Sequence, residues 1–197
     1  MLWYPVSMKT RQQALDLLYT HTKTPNLRKH ALAVEAAMRA YARKYGENEE
    51  LWGITGLLHD LDYEQNPTPD KHPLVGIGIL QEQGYPEEVI YAIKSHAEYL
   101  GVPRRSPMDK TLFAVDELAG FIVAVALVKP RKSLAEVDPP SVRKKLKDKA
   151  FARSVNRDDI IQGAADLEVD LDEHIAFVIQ AMSEIAGDLG LAPQNSL

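Results

Sequence analysis

The sequence contains no cysteine in its 197 residues, and this absence excludes several kinds of site at once. Disulfide bonds, thiolate zinc sites and cysteine nucleophiles all need a sulfur atom that the chain does not have. Histidine and the carboxylates are the strong metal ligands that remain. A metal ion bound by this chain would therefore be held by nitrogen and oxygen atoms.

Long apolar runs and export signals are also lacking. The longest apolar run, Leu118 to Val128, has 11 residues, whereas a membrane-spanning helix needs about 20. The first residues, MLWYPVSMKTRQQ, show no basic segment followed by an apolar core and a cleavage site. We therefore expect a cytoplasmic protein that makes no use of a membrane.

Strand-like alternation is missing too, whereas apolar residues recur at helical spacing along almost the whole chain. This spacing predicts an all-α protein. Asn26 and Ser106 are the predicted caps of the second and sixth helices. We expect helices over about 7–22, 26–45, 48–60, 70–83, 86–100, 107–128 and 170–189, with a short one after Asn156.

Basic residues are concentrated in one segment of an otherwise acidic chain. Residues 129–153 contain nine Lys or Arg against three Asp or Glu, while the whole chain has a net charge of -5. Such a segment suits a phosphate group, a nucleic acid or an acidic partner. It lacks an aromatic platform for bases, so the solvated face of a helix is the simpler interpretation.

The pair His59-Asp60 ends the apolar part of the stretch GLLHDLDYE. One point of the backbone thus offers a nitrogen and an oxygen ligand, which suits a divalent metal ion. Three more histidines, His30, His72 and His96, are predicted to point inward from helices. A lone inward histidine is most often an ordinary core residue. Three of them beside a His-Asp pair favour a metal site.

Asp116 is the most unusual carboxylate of the chain, because it is in register with Leu112 and Ala119 inside a very apolar helix. A buried carboxylate without a partner is strongly destabilising, so it needs hydrogen bonds or a cation. A metal ion meets that need. His21 and His174 do not fit the pattern, and we expect them to be surface or local capping residues.

The ordered set His30, His59-Asp60 and Asp116 on helices resembles the HD-domain superfamily of metal-dependent phosphohydrolases, over about residues 25–130. In detail the set is HDIG-like, although Leu61-Asp62 follows the pair where many members have isoleucine and glycine. The resemblance implies that His30, His59, Asp60 and Asp116 bind one divalent ion. In binuclear members, the equivalents of His72 and His96 bind a second ion, with Asp60 as the bridge.

The resemblance also implies a fold, an HD-domain helical bundle with a C-terminal helical extension. We expect residues 1–24 to form an N-terminal helix that packs on the core, and residues 25–130 to form the metal-binding HD domain. Residues 131–197 would extend the same domain, since too little chain follows Pro139-Pro140 for a separate core. The ion or ions could be Mn, Fe, Zn, Mg or Ni, because imidazole and carboxylate suit them all.

The expected activity is hydrolysis of a small phosphorylated molecule, with a nucleotide as the leading candidate, by metal-activated water. The absence of cysteine and of a GxSxG motif agrees with a reaction that needs no protein nucleophile. We expect Asp60, Asp62 and Lys110 to take part in catalysis, Asp62 near the water and Lys110 near the phosphate. Further candidates to neutralise the phosphate are Arg104, Arg105, Arg131 and Lys132.

Two other functions remain open at this point. Some members of the superfamily hold a di-iron pair in the same ligand order and act as oxygenases. Alternatively, the domain is a catalytically silent, metal-stabilised regulatory or binding module. We expect a small phosphorylated partner rather than a nucleic acid, and the sequence leaves the oligomeric state open, with a dimer as one option.

Overall fold

The computed structural model describes residues 9–193, and this part of the chain contains α-helices, two short 3₁₀ helices and no strand. The all-α prediction is therefore confirmed. The α-helices are α1 (Arg11–His21), α2 (Pro25–Tyr45), α3 (Glu49–Leu58), α4 (Leu74–Glu82), α5 (Glu87–His96), α6 (Pro107–Leu127), α7 (Pro139–Leu146), α8 (Arg157–Asp166), α9 (Leu171–Ser183) and α10 (Ala186–Leu189).

Helix starts follow the capping residues, and most of them agree with the sequence. The Ser106 hydroxyl accepts a hydrogen bond from the backbone N–H of Asp109, and Pro107 is the first helical residue of α6, as predicted. The cap predicted for the second helix is wrong. Helix α2 begins one residue before Asn26, at Pro25, because proline fits the first helical position. Part of the predicted first helix, residues 7 and 8, lies outside the described residues.

The helix predicted over 70–83 starts later in the structure than expected. Helix α4 begins only at Leu74, and His72 lies in the preceding turns. The reason is Pro73, since a proline disfavours the α conformation of the residue before it. His72 therefore does not share a helical face with Val75 and Ile79.

Helices α2 and α6 form the centre of the fold. Helix α2 packs against α3, α6 and α9, while α6 packs against α5 and α8. At two of these contacts a glycine, which has no side chain, allows the helices to approach very closely. A Cβ at Gly56 of α3 would lie 2.9 Å from Cγ of Met38, and a Cβ at Gly163 of α8 would lie 2.5 Å from Cα of Ala114. The helices that carry the candidate ligands are thus firmly packed together.

The terminal helices pack onto this centre as well. Helix α1 contacts α3, and α7 contacts α6 and α9. The predicted final helix over 170–189 is divided into α9 and α10. No helix of the described residues is long and apolar enough to cross a membrane.

The expectation of a surface position for His174 is wrong. Its side chain is 1% exposed, and it connects α9 to both central helices. Its Nε2 lies 3.0 Å from the carbonyl oxygen of Ala114, and its Nδ1 lies 2.6 Å from the hydroxyl of Tyr41. Because a carbonyl only accepts, Nε2–H donates to Ala114 and Nδ1 accepts from Tyr41. His174 is a neutral core residue with both nitrogens satisfied.

Candidate metal centre

Five segments bring the six predicted ligands to one place. Helix α2 contributes His30, the end of α3 contributes His59, and the following turn contributes Asp60. His72 comes from the turn before α4, while His96 and Asp116 come from α5 and α6. Their ligand atoms form two groups of three, in each of which all three atoms lie within 4.8 Å of one another: His30, His59 and Asp116, and Asp60, His72 and His96.

The first group has the spacing of a metal site. Nε2 of His30 lies 3.0 Å from Oδ1 of Asp116 and 3.3 Å from Nε2 of His59. Nε2 of His59 lies 3.3 Å from the same Asp116 oxygen. Atoms that bind one ion at about 2.1 Å in tetrahedral or octahedral geometry are separated by about 3.0–3.4 Å. The donor atoms therefore fit a divalent ion without rearrangement.

Asp60 connects the two groups through its two oxygens. Oδ2 lies 3.5 Å from Nε2 of His59 and 3.8 Å from Nε2 of His30. Oδ1 lies 3.3 Å from Nε2 of His72 and 3.7 Å from Nε2 of His96. This orientation is the one that a carboxylate needs to bridge two ions.

The other ring nitrogen of three histidines is already engaged. Nδ1 of His59 lies 2.8 Å from the carbonyl oxygen of Gly56, and Nδ1 of His96 faces the carbonyl of Ile93. Nδ1 of His72 lies 2.8 Å from Oδ1 of Asp62. Such acceptors hold the proton on Nδ1 and leave the lone pair of Nε2 for a metal.

The electrostatic field at this centre favours a cation. Burial lowers the pKa of His59, but the carboxylates of Asp60 and Asp116 outweigh burial and raise the pKa to about 10. Burial also lowers the pKa of His72, and the hydrogen bonds to Asp60 and Asp62 raise it to about 9. For the Asp60 and Asp116 carboxyls, burial raises the pKa, but the adjacent histidines lower it overall. A field that retains protons on imidazole also attracts divalent ions.

A cleft of about 690 Å³ gives access to the centre, and every predicted ligand except His59 contributes to its lining. None of the described residues that line the cleft is a lysine or an arginine. Burial and the neighbouring Asp116 raise the pKa of Glu117 in this cleft to about 8. Beyond the ligands, the lining includes three acidic and three aromatic residues: Glu98, Glu117 and Asp159, and Tyr63, Tyr99 and Phe113.

The structure does not bring the other predicted site residues to the cleft. Both carboxylate oxygens of Asp62 are engaged below the surface, since Oδ1 faces His72 and Oδ2 accepts from the N–H of Gly76. Asp62 is 3% exposed and so does not meet the expectation that it reaches water or substrate. Lys110 is half-buried on α6 and does not line the cleft.

The arginines and lysines considered for the phosphate lie elsewhere as well. Arg104 contacts two residues that line the cleft, Glu98 and Phe113, but does not line it itself. Its guanidinium is 3.0 Å from Asp166 and 2.5 Å from Glu98. It also lies 3.7 Å from the ring centre of Phe113. Arg104 therefore supports the wall of the cleft from behind. Arg105, Arg131 and Lys132 do not contribute to the lining.

Sequence reasoning missed the acidic and aromatic residues of the cleft. Glu98 belongs to a 3₁₀ helix, Glu117 to α6 and Asp159 to α8. No local pattern joins residues from three distant segments. Tyr63 and Glu117 are exceptions, because Tyr63 follows the His-Asp pair closely and Glu117 directly follows Asp116 in sequence.

Comparison with protein families identifies the class to which this fold and site belong. The family model of the HD domain matches residues 27–120, a stretch that contains all six predicted ligands. Residues 27–120 therefore form an HD domain, as the sequence indicated. HD domains bind divalent metal ions, and the superfamily is one of metal-dependent phosphohydrolases.

One relative shows a more specific likeness. The chain is 29% identical over 108 residues to Ribonuclease Y of Desulfotalea psychrophila. The match covers 53% of this chain and 20% of the relative, so the chain spans about a fifth of that protein's length. No solved structure matches the chain significantly. A match of this extent does not transfer the activity of the whole relative.

Proposed function

We propose that this protein is a metal-dependent phosphohydrolase that acts on a small phosphorylated molecule of nucleotide size. The observation that carries the proposal is the position of Asp60 between two groups of ligand atoms, with one oxygen turned to each group. Two divalent ions, if bound there, would supply Lewis acidity and an activated water for hydrolysis. The HD domain at residues 27–120 supports the same class of reaction.

The residues of the chain have separate tasks in this proposal. His30, His59 and Asp116 would hold the first ion, and Asp60, His72 and His96 would hold the second. The exposed rings of Tyr63 and Tyr99, 40% and 53% exposed, lie beside the ligands at the cleft. Aromatic faces at this position are suited to stack on the base of a nucleotide.

The charge of the cleft favours a substrate with few phosphate groups. Its lining contains five carboxylates and, among the described residues, no basic side chain. The charge of the reacting phosphate must therefore be balanced by the ions. A second or third phosphate further along the cleft would face Asp159, and no lysine or arginine of the described lining residues could bind it. Glu98 is paired with Arg104, and the pKa of Glu117, raised to about 8, keeps that carboxyl largely protonated at neutral pH. We infer that the substrate is a phosphate monoester.

A phosphate-release assay tests the proposal. Metal-depleted protein is supplied with Mn²⁺, Zn²⁺ or Mg²⁺ and a panel of nucleoside monophosphates and sugar phosphates. We expect release of inorganic phosphate that depends on the ion and disappears in Asp60→Ala. The absence of turnover across the panel, with metal bound and the protein folded, would contradict the proposal and favour a silent binding module.

A di-iron oxygenase is the second candidate function, because the donor set is compatible with it. Four imidazole nitrogens and two carboxylates suit iron as well as manganese or zinc. Elemental analysis of protein purified without added metal, combined with oxygen-uptake measurements, separates the two. Two irons per chain with substrate-dependent oxygen uptake would favour the oxygenase.

RNA is an alternative substrate, suggested by the likeness to Ribonuclease Y and by the basic segment 129–153. Ser154 and Asn156, just beyond this segment, line the cleft. Phosphodiester cleavage and salt-sensitive RNA binding would support this alternative. Charge reversal of the segment should then abolish the binding, at Arg143, Lys144, Lys145 and Lys147.

A further inference from the structure

The second group of ligands depends on a histidine that no helix holds. His30 and His96 lie within helices and His59 caps the end of one, whereas His72 lies in the turns between α3 and α4. A functional site requires its ligand atoms to be placed within about 0.5 Å. His72 therefore needs contacts outside its own backbone to keep Nε2 directed at Asp60.

Asp62 provides such a contact for the ring of His72. Its Oδ1 lies 2.8 Å from Nδ1 of His72, and its Oδ2 accepts a hydrogen bond of 2.8 Å from the N–H of Gly76. Gly76 is the third residue of α4, where a backbone N–H has no partner within the helix. One carboxylate thus joins the histidine to the start of the helix that follows it.

Gly76 leaves the space that this carboxylate occupies. A Cβ at position 76 would lie 3.1 Å from Cγ of Asp62 and 3.2 Å from its Oδ1. These distances are shorter than an ordinary carbon contact of about 3.5–4.0 Å. A side chain at position 76 would therefore require the Asp62 carboxylate to shift by a few tenths of an ångström from its place beside His72.

A second contact holds the backbone of His72. The hydroxyl of Tyr99 donates a hydrogen bond of 2.8 Å to the carbonyl oxygen of His72. The ring of Tyr63 packs edge-on against the imidazole, with 5.2 Å between ring centres. These contacts restrict the turn, but only Asp62 bonds to the ring nitrogen opposite the metal-facing one.

We propose that Asp62 is a positioning residue that controls the occupancy of the second metal site, formed by Asp60, His72 and His96, and leaves the first site unaffected. The inference rests on the proposed metal centre. A hydrogen bond from a carboxylate to a metal-binding histidine fixes the ring, and its loss weakens metal binding by about 10–100-fold. Among the described hydrogen bonds, none joins Asp62 to a ligand of the first site.

Calorimetric titration of metal-depleted, full-length protein with Mn²⁺ tests this role. We expect the wild type to bind two ions. Asp62→Ala should bind the first ion as the wild type does and the second about 10–100-fold more weakly. Asp109→Ala is the matched control. Asp109 is equally buried and accepts backbone N–H bonds at the start of α6, but it contacts no candidate ligand.

Two milder variants keep the test valid if Asp62→Ala does not fold. Asp62→Asn retains one oxygen acceptor, which can serve His72 or Gly76 but not both. Gly76→Ala leaves Asp62 in the chain and displaces its carboxylate. Both variants should weaken the second ion selectively. The ratio of the two binding constants is the decisive quantity, because a general loss of stability would not change it.

The outcomes separate this proposal from the proposed function. Two ions bound with wild-type constants by the Asp62 and Gly76 variants would overturn the role of Asp62 and leave the metal centre intact. Equal weakening of both ions would also overturn it, since Asp62 would then be a structural residue only. A wild type that binds one ion overturns the inference alone, and one that binds none overturns the proposed function as well.

Discussion

Oδ1 of Asp60 lies 3.3 Å from Nε2 of His72, across the loop that separates α3 from α4. The other oxygen of the same carboxylate is turned to His59 at 3.5 Å. The Asp60 side chain therefore lies between the two groups of ligand atoms. Asp60 belongs to the turn directly after α3. A change at Asp60 affects both groups together.

Asp60→Ala is expected to eliminate the binding of both ions and to reduce phosphate release to background, because no other carboxylate of residues 9–193 lies within 4 Å of all four histidines. Elemental analysis after gel filtration and a phosphate-release assay measure the two effects. Asp70→Asn, an exposed residue of the same loop, is the control and should behave as the wild type. Full turnover in Asp60→Ala would place the reaction elsewhere in the protein.

His30→Ala and His96→Ala should each remove one ion, but not the same one. His30 belongs to the group with His59 and Asp116, and His96 to the group with Asp60 and His72. Competition between Mn²⁺ and Co²⁺, followed by optical spectroscopy of the bound cobalt, distinguishes the remaining site in each variant. Identical cobalt spectra in the two variants would contradict a binuclear arrangement.

Metal removal should lower the thermal stability. An ion that binds the folded chain at about 100 times its Kd adds about 2.7 kcal/mol to the free energy of unfolding. For a chain of this length, about 1 kcal/mol corresponds to about 2–4 °C in Tm. We therefore expect a Tm about 5–10 °C lower in the presence of a chelator, measured by calorimetry. His30→Ala with His96→Ala should abolish this difference.

Turnover should fall as phosphate groups are added to the substrate. The cleft contains Glu98, Glu117 and Asp159 and, among the described lining residues, no basic partner for a second phosphate. We expect kcat/KM for a nucleoside triphosphate to be about tenfold or more below that for the monophosphate, because like charges repel. Asp159→Asn should narrow this difference, whereas Glu117→Gln should change it little near neutral pH, because burial and Asp116 raise the pKa of Glu117 to about 8. A preference for the triphosphate would contradict the proposed charge selection.

The stability of the fold should depend on the neutral state of His174. Burial lowers the pKa of His174 from 6.5, so the folded state binds the proton less tightly than the unfolded state. The contribution of His174 is therefore complete above about pH 6.5 and is lost as the pH falls below it. His174→Gln should cost about 1–3 kcal/mol at pH 8 through its buried hydrogen bonds, and less at pH 5.5. Urea unfolding at the two pH values measures this, and a cost that grows at low pH would contradict it.

Local patterns predicted the parts of the site that helices carry. His59-Asp60 was readable because it ends an apolar segment, and Asp116 because it interrupts the apolar face of α6. His72 was placed on a helix incorrectly, although Pro73 directly after it is a local signal against helix. The site itself was unaffected by this error, since the turn brings His72 to the same position.

Several features of the site depend on tertiary contacts, which local sequence patterns do not predict. Three acidic residues shortly before His174 in the sequence suggested a surface position for it. In the structure His174 lies on the buried face of α9 with Val178 and Met182. The hydrogen bonds that join Asp62 to His72 and to Gly76 connect residues ten and fourteen positions apart, and no local pattern in the sequence predicts them. The acidic lining of the cleft comes from separate segments, so only the folded chain reveals it.

The contact of Gly163 with Ala114 connects α8, which lies outside the family match, to a helix that carries a candidate ligand. The family match ends at residue 120, yet α8 touches the backbone of α6 at Ala114, whose carbonyl also accepts from His174. Both contacts brace the turn of α6 just before Asp116. A gene fragment trimmed to the family boundary would therefore encode every candidate ligand and still lose the scaffold that aligns them. A shortened or fused version of the protein should therefore retain the chain at least through α9, which carries His174.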